Sequence, residues 1–331
     1  MKDNNMGNRL NSGFKKLTKH REMTVLFIIL CICIVLGIIT PTFMTASNLR
    51  ATAMGFATDG IIAIGMTAVL ISGGFDLSVG SVMAFSGVVT ATLHISVGWN
   101  IWLSCLCAIV ISGLIGLFNG IIIGKIGLSP FITTLGMMEI ARGATYVVTK
   151  GSPVSLSSAP QDFINLGKGS LGGIPNLVII LIVLVLISDY AMKHVASIRN
   201  LFYAGSNEKA AILSGINTKN IKIKVYVFSS MIAGLAGILS ISRYTVAATT
   251  AGDGAEMRAI SAAVIGGASL NGGEGTVLGA IMGIVLLNVI DNALVLLQVS
   301  VYWQQVISGM ILVLAVMIDH LSHRKKSFVH G

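Results

Sequence analysis

The amino-acid sequence predicts an all-α integral membrane protein with about ten transmembrane helices, some of them broken or short, and with both termini cytoplasmic. Its composition, the length of its apolar segments and the distribution of its basic residues indicate this class. Hydrophobic residues make up 54% of the chain and charged residues only 11%, and the mean hydropathy is +0.87. Soluble domains carry roughly 25% charged residues, so this chain has too few charges to cover a soluble surface.

Nine apolar segments are long enough to cross a bilayer, whose hydrocarbon core takes about 20 helical residues. They cover residues 24–40, 55–72, 78–94, 101–124, 130–148, 175–192, 224–242, 276–297 and 303–319. A further region, 258–270, is apolar but too short to span comfortably. Hydropathy alone therefore leaves the number of crossings at nine or ten.

The distribution of basic residues favours ten crossings. Lysine and arginine concentrate near the N-terminus, between the sixth and seventh segments, and at the end of the chain: Lys2, Arg9, Lys15, Lys16, Lys19 and Arg21; Lys193, Arg199, Lys209, Lys219, Lys222 and Lys224; Arg324, Lys325 and Lys326. The positive-inside rule places all three groups in the cytoplasm. Six segments separate the first two groups, an even number as the rule requires. Only three clear segments separate the second group from the third, so region 258–270 must also cross.

This topology divides the chain into a cytoplasmic N-terminal tail at 1–23, a transmembrane domain at 24–319 and a cytoplasmic C-terminal tail at 320–331. The transmembrane domain includes a cytoplasmic loop at 194–224. The net charge of +9 then reflects the basic cytoplasmic groups and their attraction to anionic lipid. Because no basic surface pattern with interleaved aromatic residues is present, we expect no nucleic-acid partner.

A carboxylate and a pair of glycines stand together in "GGFDLS", the predicted cytoplasmic turn between the second and third segments. At such a turn water can reach Asp76, which removes most of the cost of an ionised group near lipid. The pattern G-G-x-x-L-x-x-G of residues 73–80 recurs at 266–273. A duplication would predict a repeated helix-break-helix unit that lines a polar cavity, as in transporters. Alternatively, the glycines only allow close packing between helices.

Several polar residues lie deeper in the apolar segments and, with Asp76, are candidates for lining a translocation path. Polar side chains in membrane spans usually face the bundle interior or water. The candidates are Asn119, Asn288, Asp291 and Asn292. The last three share one helical face, and this stripe indicates either the lining of a conduit or a hydrogen-bond cluster between helices. Glu139 and Arg142 also share a helical face, and we expect them to neutralise each other.

The loop at 194–224 is longer than a simple connection between two helices needs, since such connections usually take about 2–8 residues. Ser206 or Asn207 is a plausible helix cap, and Gly215 is a typical C-terminal stop. The sequence therefore predicts a short helix between Asn207 and Ser214, lying across the cytoplasmic face. We interpret it as a docking element. The alternative is an amphipathic helix that rests on lipid headgroups.

The motifs of common catalytic and nucleotide-binding sites are missing. No P-loop, HExxH or GxSxG pattern occurs in the sequence. We therefore predict that the chain is not an enzyme, binds no cofactor of its own, and moves a solute across the membrane or lets it pass.

Four long stretches resemble one family of proteins in the same order along the chain. They are "AIGMTAVLISGGFDLSVGSVMAFSG" (63–87), "FNGIIIGKIGLSPFITTLGMM" (118–138), "YAGSNEKAAILSGI" (203–216) and "AISAAVIGGASLNGGEGTVLGAIMGIVLL" (259–287). The chain resembles the ribose-type monosaccharide permeases of the ATP-binding-cassette (ABC) importers, from about residue 24 to residue 319.

The resemblance implies a transport subunit in the bacterial cytoplasmic membrane. A separate cytoplasmic ATPase, which binds ATP and Mg²⁺, would dock on the loop 205–215. A second permease copy or a related chain would form a dimer with this one, and an extracytoplasmic sugar-binding protein would deliver the substrate. The residues at the matching docking positions are Gly205, Asn207, Glu208, Ala211, Ser214 and Gly215.

Two residues depart from the family pattern: Ser206 stands where glycine is frequent, and Glu139 stands where a small or hydroxyl residue is common. The sequence also leaves other functions open. An importer of the same class for autoinducer-2, a nucleoside or a branched-chain amino acid has comparable hydropathy. An ion-coupled secondary transporter would need a buried carboxylate for its coupling ion, and Asp76, Glu139 and Asp291 are the candidates for that role.

Overall fold

The computed structural model describes residues 21–329, and it describes the side chains of residues 22–317. The predicted cytoplasmic tails and the basic groups of both chain ends therefore lie wholly or largely outside the described residues. Within the described part, the chain folds into a helical bundle with a few very short strands.

The bundle is built from thirteen α-helices in the described range. Their bounds are α1 Arg21–Ile39, α2 Ala46–Ile71, α3 Val79–Ile95, α4 Ile101–Ile121, α5 Pro130–Thr149, α6 Gln161–Lys168, α7 Asn176–His194, α8 Ala196–Ser206, α9 Glu208–Leu213, α10 Thr218–Tyr244, α11 Ala255–Ile265, α12 Val277–Leu296 and α13 Val301–Val329. A π-helical segment, Ile122–Ile126, extends α4.

Four two-residue strands form two antiparallel pairs. Strand β1 (Val154–Ser155) pairs with β4 (Val246–Ala247), and β2 (Ser170–Leu171) pairs with β3 (Ile174–Pro175). The β1–β4 pair joins two connections that are far apart in sequence and so brings the ends of α5 and α10 together on one side of the bundle.

Each of the nine clear apolar segments corresponds to one helix of the bundle. Six helices are long and apolar enough to cross a membrane, namely α1, α2, α4 with its π-helical extension, α7, α10 and α12; 79–95 and 301–317 form shorter apolar helices. The doubtful region 258–270 overlaps α11, which ends at Ile265. Eleven helical residues extend only about 16 Å, which is about half of the hydrocarbon core. Helix α11 therefore does not cross the bilayer unaided.

The bundle has two central helices, α2 and α10, whose apolar lengths are mostly buried. Helix α10 packs against α2, α3 and α4, whereas α2 also packs against α7, α11 and α12. Both begin earlier than the apolar segments predict, at Ala46 and Thr218. The reason is local: the side chains of Thr45 and Asn217 cap these helices by accepting hydrogen bonds from backbone N–H groups.

The connections between helices gather at two opposite ends of the bundle. One end, here called the glycine face, contains the turn 72–78, helices α8 and α9, and the connection 266–276. The other, the strand face, contains both strand pairs and α6, which packs against the end of α10. Helix α10 runs from one face to the other, and its 27 residues extend about 40 Å.

Candidate functional site

Helix α9 lies at the glycine face and occupies the position that the sequence predicts. The Asn207 side chain caps it by accepting a hydrogen bond from the backbone N–H of Ala210 at 3.0 Å. The helix ends before Gly215, which has a φ of +80°, a conformation that favours glycine. The prediction of a short helix between Asn207 and Ser214 is confirmed.

The surface of α9 combines a strongly exposed apolar side chain with a buried one. Leu213 is 89% exposed and Ile212 is also exposed, whereas Ala211 is only 4% exposed. Leu213 and Ile212 therefore give α9 an accessible apolar surface beside its buried one. Of the docking residues that the resemblance implies, Ala211 faces the protein interior, while its neighbours Ile212 and Leu213 are accessible.

An ion pair holds α9 against α10. The Glu208 carboxylate accepts a hydrogen bond from Lys222 Nζ at 2.7 Å. This hydrogen bond holds the pKa of Glu208 below its ordinary value. The pair is partly exposed, so it positions α9 more than it stabilises the fold.

Helix α8, which the sequence does not predict, leads into α9 and ends in a junction of three backbone segments. A Cβ added at Gly205 would collide with the carbonyl oxygen of Ile71, the last residue of α2. The same Ile71 oxygen accepts a hydrogen bond from the backbone N–H of Gly273 at 2.8 Å. A Cβ at Gly272 would lie 2.7 Å from the Gly205 oxygen and 2.9 Å from the Cα of Gly73. We call these five residues the glycine junction.

The two connections that meet at the junction begin with turns of the same backbone geometry. At the end of α2, the backbone N–H groups of Ser72 and Gly73 donate hydrogen bonds to the carbonyl oxygens of Ala68 and Leu70. At the end of α11, the N–H groups of Gly266 and Gly267 donate in the same way to the carbonyl oxygens of Ala262 and Val264. Gly73 and Gly267 have φ values of +79° and +100°. The structural correspondence therefore pairs Gly73 with Gly267, one residue away from the sequence pattern, which pairs Gly73 with Gly266. Both turns break a helix at the glycine face.

Asp76 lies beside this junction but is fully buried, with 0% exposure, so the expectation that water reaches it is wrong. Its carboxylate accepts hydrogen bonds from the N–H and Oγ of Ser78 at 3.1 and 2.6 Å, and from Ser229 Oγ at 2.8 Å. Asn119 Nδ2 donates to Ser78 Oγ at 3.2 Å. Asp76 and Asn119 thus tie the turn to α10 and α4 through protein hydrogen bonds.

The polar stripe of α12 divides into two parts. Asn292 exchanges two hydrogen bonds with Asn48, at 2.9 and 3.0 Å, where α12 meets α2. Asn288 and Asp291 instead lie near Arg258 of α11 and Asp59 of α2. The three residues of the stripe therefore do not act as one unit.

A polar cavity of about 610 Å³ opens between α2, α3, α10, α11 and α12 in the half of the bundle toward the strand face. Arg258 Nη1 lies 3.1 Å from Asp59 Oδ2 and 4.0 Å from Asp291 Oδ2. Asn288 Nδ2 donates to Asp59 Oδ2 at 3.4 Å. The polar lining residues are Thr58, Asp59, Ser240, Arg243, Tyr244, Thr250, Asp253, Arg258 and Asn288.

Of the path candidates, the structure brings Asn288 to the cavity lining and Asp291 to its charged cluster. Asp59 and Arg258 are missing from the sequence prediction. Both were detectable, because Asp59 is an acidic residue inside the predicted segment 55–72 and Arg258 begins the region 258–270. Ionisable residues in such positions are functional candidates by default.

Arg142 does not pair with Glu139, contrary to expectation. It forms an ion pair with Asp253 and donates to the carbonyl oxygens of Thr249 and Ala251 at 2.7 and 3.0 Å. These contacts anchor the connection between β4 and α11, which forms part of the cavity lining. Glu139 is exposed on α5.

Comparisons with known proteins agree on one family. A family model described as "Branched-chain amino acid transport system / permease component" matches residues 48–316. The ribose import permease protein RbsC of Escherichia coli (strain K12) is 36% identical over 313 residues, which cover 93% of this chain and 97% of the relative. RbsC of Bacillus subtilis (strain 168) is 36% identical over 295 residues, covering 89% and 90% of the two chains.

An arabinose permease is similar to the chain over a comparable length. The L-arabinose ABC transporter permease protein AraH of Azospirillum brasilense is 32% identical over 318 residues, which cover 96% of this chain and 92% of the relative. No solved structure matches the chain significantly.

The matched region contains the turn of Asp76, helix α9, the glycine junction and the polar cavity. The similarity extends over nearly the whole length of these relatives, and their names describe transport permeases. The resemblance that the residues indicate is confirmed: the chain belongs to the family of ABC transporter permease components that includes the ribose and arabinose permeases.

Proposed function

We propose that the chain is the transmembrane subunit of a bacterial importer that carries a monosaccharide, a ribose-like pentose or a hexose, across the cytoplasmic membrane. A separate cytoplasmic ATPase would supply the energy, and an extracytoplasmic binding protein would deliver the sugar. The observation that supports this best is the position of α9: an exposed helix that directly follows the end of α8, where Gly205 touches the backbone of α2 at Ile71.

We infer ten crossings with both termini cytoplasmic. Contacts between helix ends support this arrangement. At the glycine face, the Thr276 hydroxyl before α12 donates to the Glu22 carboxylate at the start of α1. At the opposite end of α12, Asn292 pairs with Asn48 at the start of α2. Helix α11 and its connection 266–276 would complete the tenth crossing as a broken span.

The glycine junction suggests how the ATPase drives the permease. Binding of ATP and Mg²⁺ to the ATPase would move α9, and Gly205 would press on the end of α2 and on the connection 266–276. Because the end of α2 and the connection 266–276 both contact Gly205 through backbone atoms, they would move together. Two permease copies rocking in this way would alternate between outward-open and inward-open states.

The proposed substrate class comes from the relatives, whose names describe import or transport of ribose and L-arabinose. The family description instead names branched-chain amino acids.

The test is uptake into proteoliposomes that contain the permease, its ATPase and its binding protein. We expect ATP-dependent uptake of a pentose or hexose that persists without a proton or sodium gradient. Uptake of leucine or valine alone would contradict the sugar assignment, and uptake driven by an ion gradient without ATP would contradict the importer class.

A further inference from the structure

A second, largely apolar cavity of about 540 Å³ lies near the glycine face. Helices α7, α8 and α10 form its walls, and Ala68, near the end of α2, belongs to its lining. Helices α7 and α10 both pack against α2 but not substantially against each other. The cavity is the cleft between these two helices.

The cleft has exposed apolar side chains on both of its long walls. Ile187 of α7 is 60% exposed and Phe228 of α10 is 37% exposed, and both line it. Both helices are long and apolar enough to cross a membrane. The lining residues of α10 extend from Asn217 to Phe228, about 16 Å along the helix, which is close to the thickness of one hydrocarbon leaflet. The cleft therefore suits an acyl chain that enters from the surrounding lipid.

The end of the cleft nearest the loop between α7 and α10 is polar and positively charged. Asn200 of α8 and Asn217 and Asn220 of α10 line it there, and Lys224 lies one turn further along α10. Side-chain amides and an ammonium group all donate hydrogen bonds, so this end suits the oxygens of a phosphate group. In the described part of the chain, no acidic residue lines the cleft.

The charge of Lys224 is not neutralised by the protein. The segment 187–228 contains two acidic residues, Asp189 and Glu208. Asp189 accepts a hydrogen bond from Lys193 and Glu208 accepts one from Lys222, each at 2.7 Å. Lys224 itself forms no ion pair with a described residue. Basic pockets between membrane helices on the cytoplasmic side are typical binding sites for anionic lipid headgroups.

We propose that this cleft binds an anionic phospholipid of the cytoplasmic leaflet, with an acyl chain between α7 and α10 and the headgroup phosphate at Lys224 and the neighbouring asparagines. Helix α8 lines the cleft and leads into α9, so a bound lipid would hold the base of the docking element in place. This inference does not depend on the transported solute; it uses only the topology in which the glycine face is cytoplasmic.

The test measures lipid binding by the complex of the permease with its ATPase, purified in detergent and freed of lipid. Native mass spectrometry quantifies bound dioleoyl phosphatidylglycerol, and dioleoyl phosphatidylcholine is the uncharged comparison with the same acyl chains. We expect phosphatidylglycerol to bind more tightly, and Lys224→Gln to lower its affinity about fivefold. Lys125→Gln is the matched control, because Lys125 is also exposed at the glycine face but does not line the cleft. Equal binding of both lipids, or unchanged binding in Lys224→Gln, would overturn the proposal.

A bulkier side chain in the cleft tests the acyl-chain contact while Lys224 stays intact. Ala191→Phe fills part of the α7 wall and should weaken phosphatidylglycerol binding about tenfold. Leu186→Phe should not, because Leu186 is exposed on α7 but outside the cleft. Soluble glycerol phosphate should not displace the lipid. Displacement by glycerol phosphate, or full binding in Ala191→Phe, would contradict a lipid site.

Fluorescence quenching locates the lipid without weakening the site. Phe228→Trp, in a chain whose Trp99, Trp102 and Trp303 are replaced by phenylalanine, is reconstituted in phosphatidylcholine vesicles. Brominated phosphatidylglycerol should quench its fluorescence more than brominated phosphatidylcholine at the same mole fraction, and saturating ATPase should leave this difference in place. Equal quenching by the two lipids would overturn the proposal, and loss of quenching on addition of the ATPase would assign the cleft to the ATPase interface instead.

Discussion

The backbone N–H of Gly273 donates a hydrogen bond to the carbonyl oxygen of Ile71 at 2.8 Å. This bond joins the connection after α11 to the last residue of α2, and Gly205 packs against the same oxygen. The end of α8, which leads into the exposed helix α9, therefore touches both the end of α2 and the connection that follows α11. In the proposed importer, a force on α9 reaches the end of α2 and the connection 266–276 through backbone contacts of Gly205.

The first prediction concerns Gly205, which has no room for a side chain. Gly205→Ala places a Cβ against the Ile71 oxygen, so the backbone must shift at a cost of about 1–3 kcal/mol. We expect transport to fall about tenfold or more while the protein still reaches the membrane. ATP-driven uptake per assembled complex measures this. Gly309→Ala is the control, since a Cβ there meets nothing within 4 Å; equal uptake by both variants would contradict a transmitting role.

The second prediction concerns the exposed side chain of Leu213. Burying a leucine in an interface contributes about 1.5–3 kcal/mol, so Leu213→Asp should weaken binding of the ATPase partner at least about tenfold. Co-purification and titration of the ATPase against the reconstituted permease measure it. Leu171→Asp is a matched control because Leu171 is also strongly exposed, at 72%, but lies on the strand face. Unchanged ATPase affinity in Leu213→Asp would show that α9 is not the docking surface.

The third prediction concerns the ion pair between Glu208 and Lys222, which holds α9 against α10. Glu208→Lys places two like charges where Glu208 and Lys222 now lie 2.7 Å apart, which should displace α9 and uncouple ATP hydrolysis from transport. The direct effect on stability should stay below about 1 kcal/mol, since the pair is partly exposed. The double variant Glu208→Lys/Lys222→Glu restores opposite charges and should recover coupling. Normal transport by Glu208→Lys alone would rule out this positioning role.

The fourth prediction separates the two asparagines of the α12 stripe. Asn288→Leu should lower sugar flux without loss of ATPase binding, because Asn288 lines the cavity. Asn292→Leu breaks two hydrogen bonds to Asn48 and should cost about 1 kcal/mol of stability, seen as a lower melting temperature with normal flux per folded complex. A normal sugar flux in Asn288→Leu would show that the polar stripe of α12 serves only in packing between helices.

Local features of the fold were predictable from the sequence. The apolar segments predict the long helices because burial in lipid requires long apolar runs. The cap by Asn207 and the stop at Gly215 were predictable because helix ends depend on one or two nearby residues. Helix α8 was missed because its residues, "ASIRNLFYAGS", mix polar and apolar side chains within a short amphipathic segment.

The site depended on contacts that single segments do not reveal. Asp76 was expected to be hydrated. Instead its carboxylate is buried and accepts a hydrogen bond from Ser229, 153 residues away in sequence. Arg258 and Asp59 are 199 residues apart, so their pairing follows only from the packing of α11 against α2. The sequence pattern detected the glycine repeat but aligned its two copies one residue away from the structural correspondence. Matching residue types do not specify which backbone N–H group forms the last hydrogen bond of a helix.

The central claim is that α9 lies on the cytoplasmic side, where an ATPase binds it. The most direct test is labelling of Leu213→Cys in intact spheroplasts with a membrane-impermeant maleimide, in a chain whose four native cysteines are replaced by alanine. Leu171→Cys, on the strand face, should be labelled from outside, whereas Leu213→Cys should be labelled only after permeabilisation and should be shielded by the added ATPase. Labelling of Leu213→Cys from outside in intact spheroplasts would contradict the account.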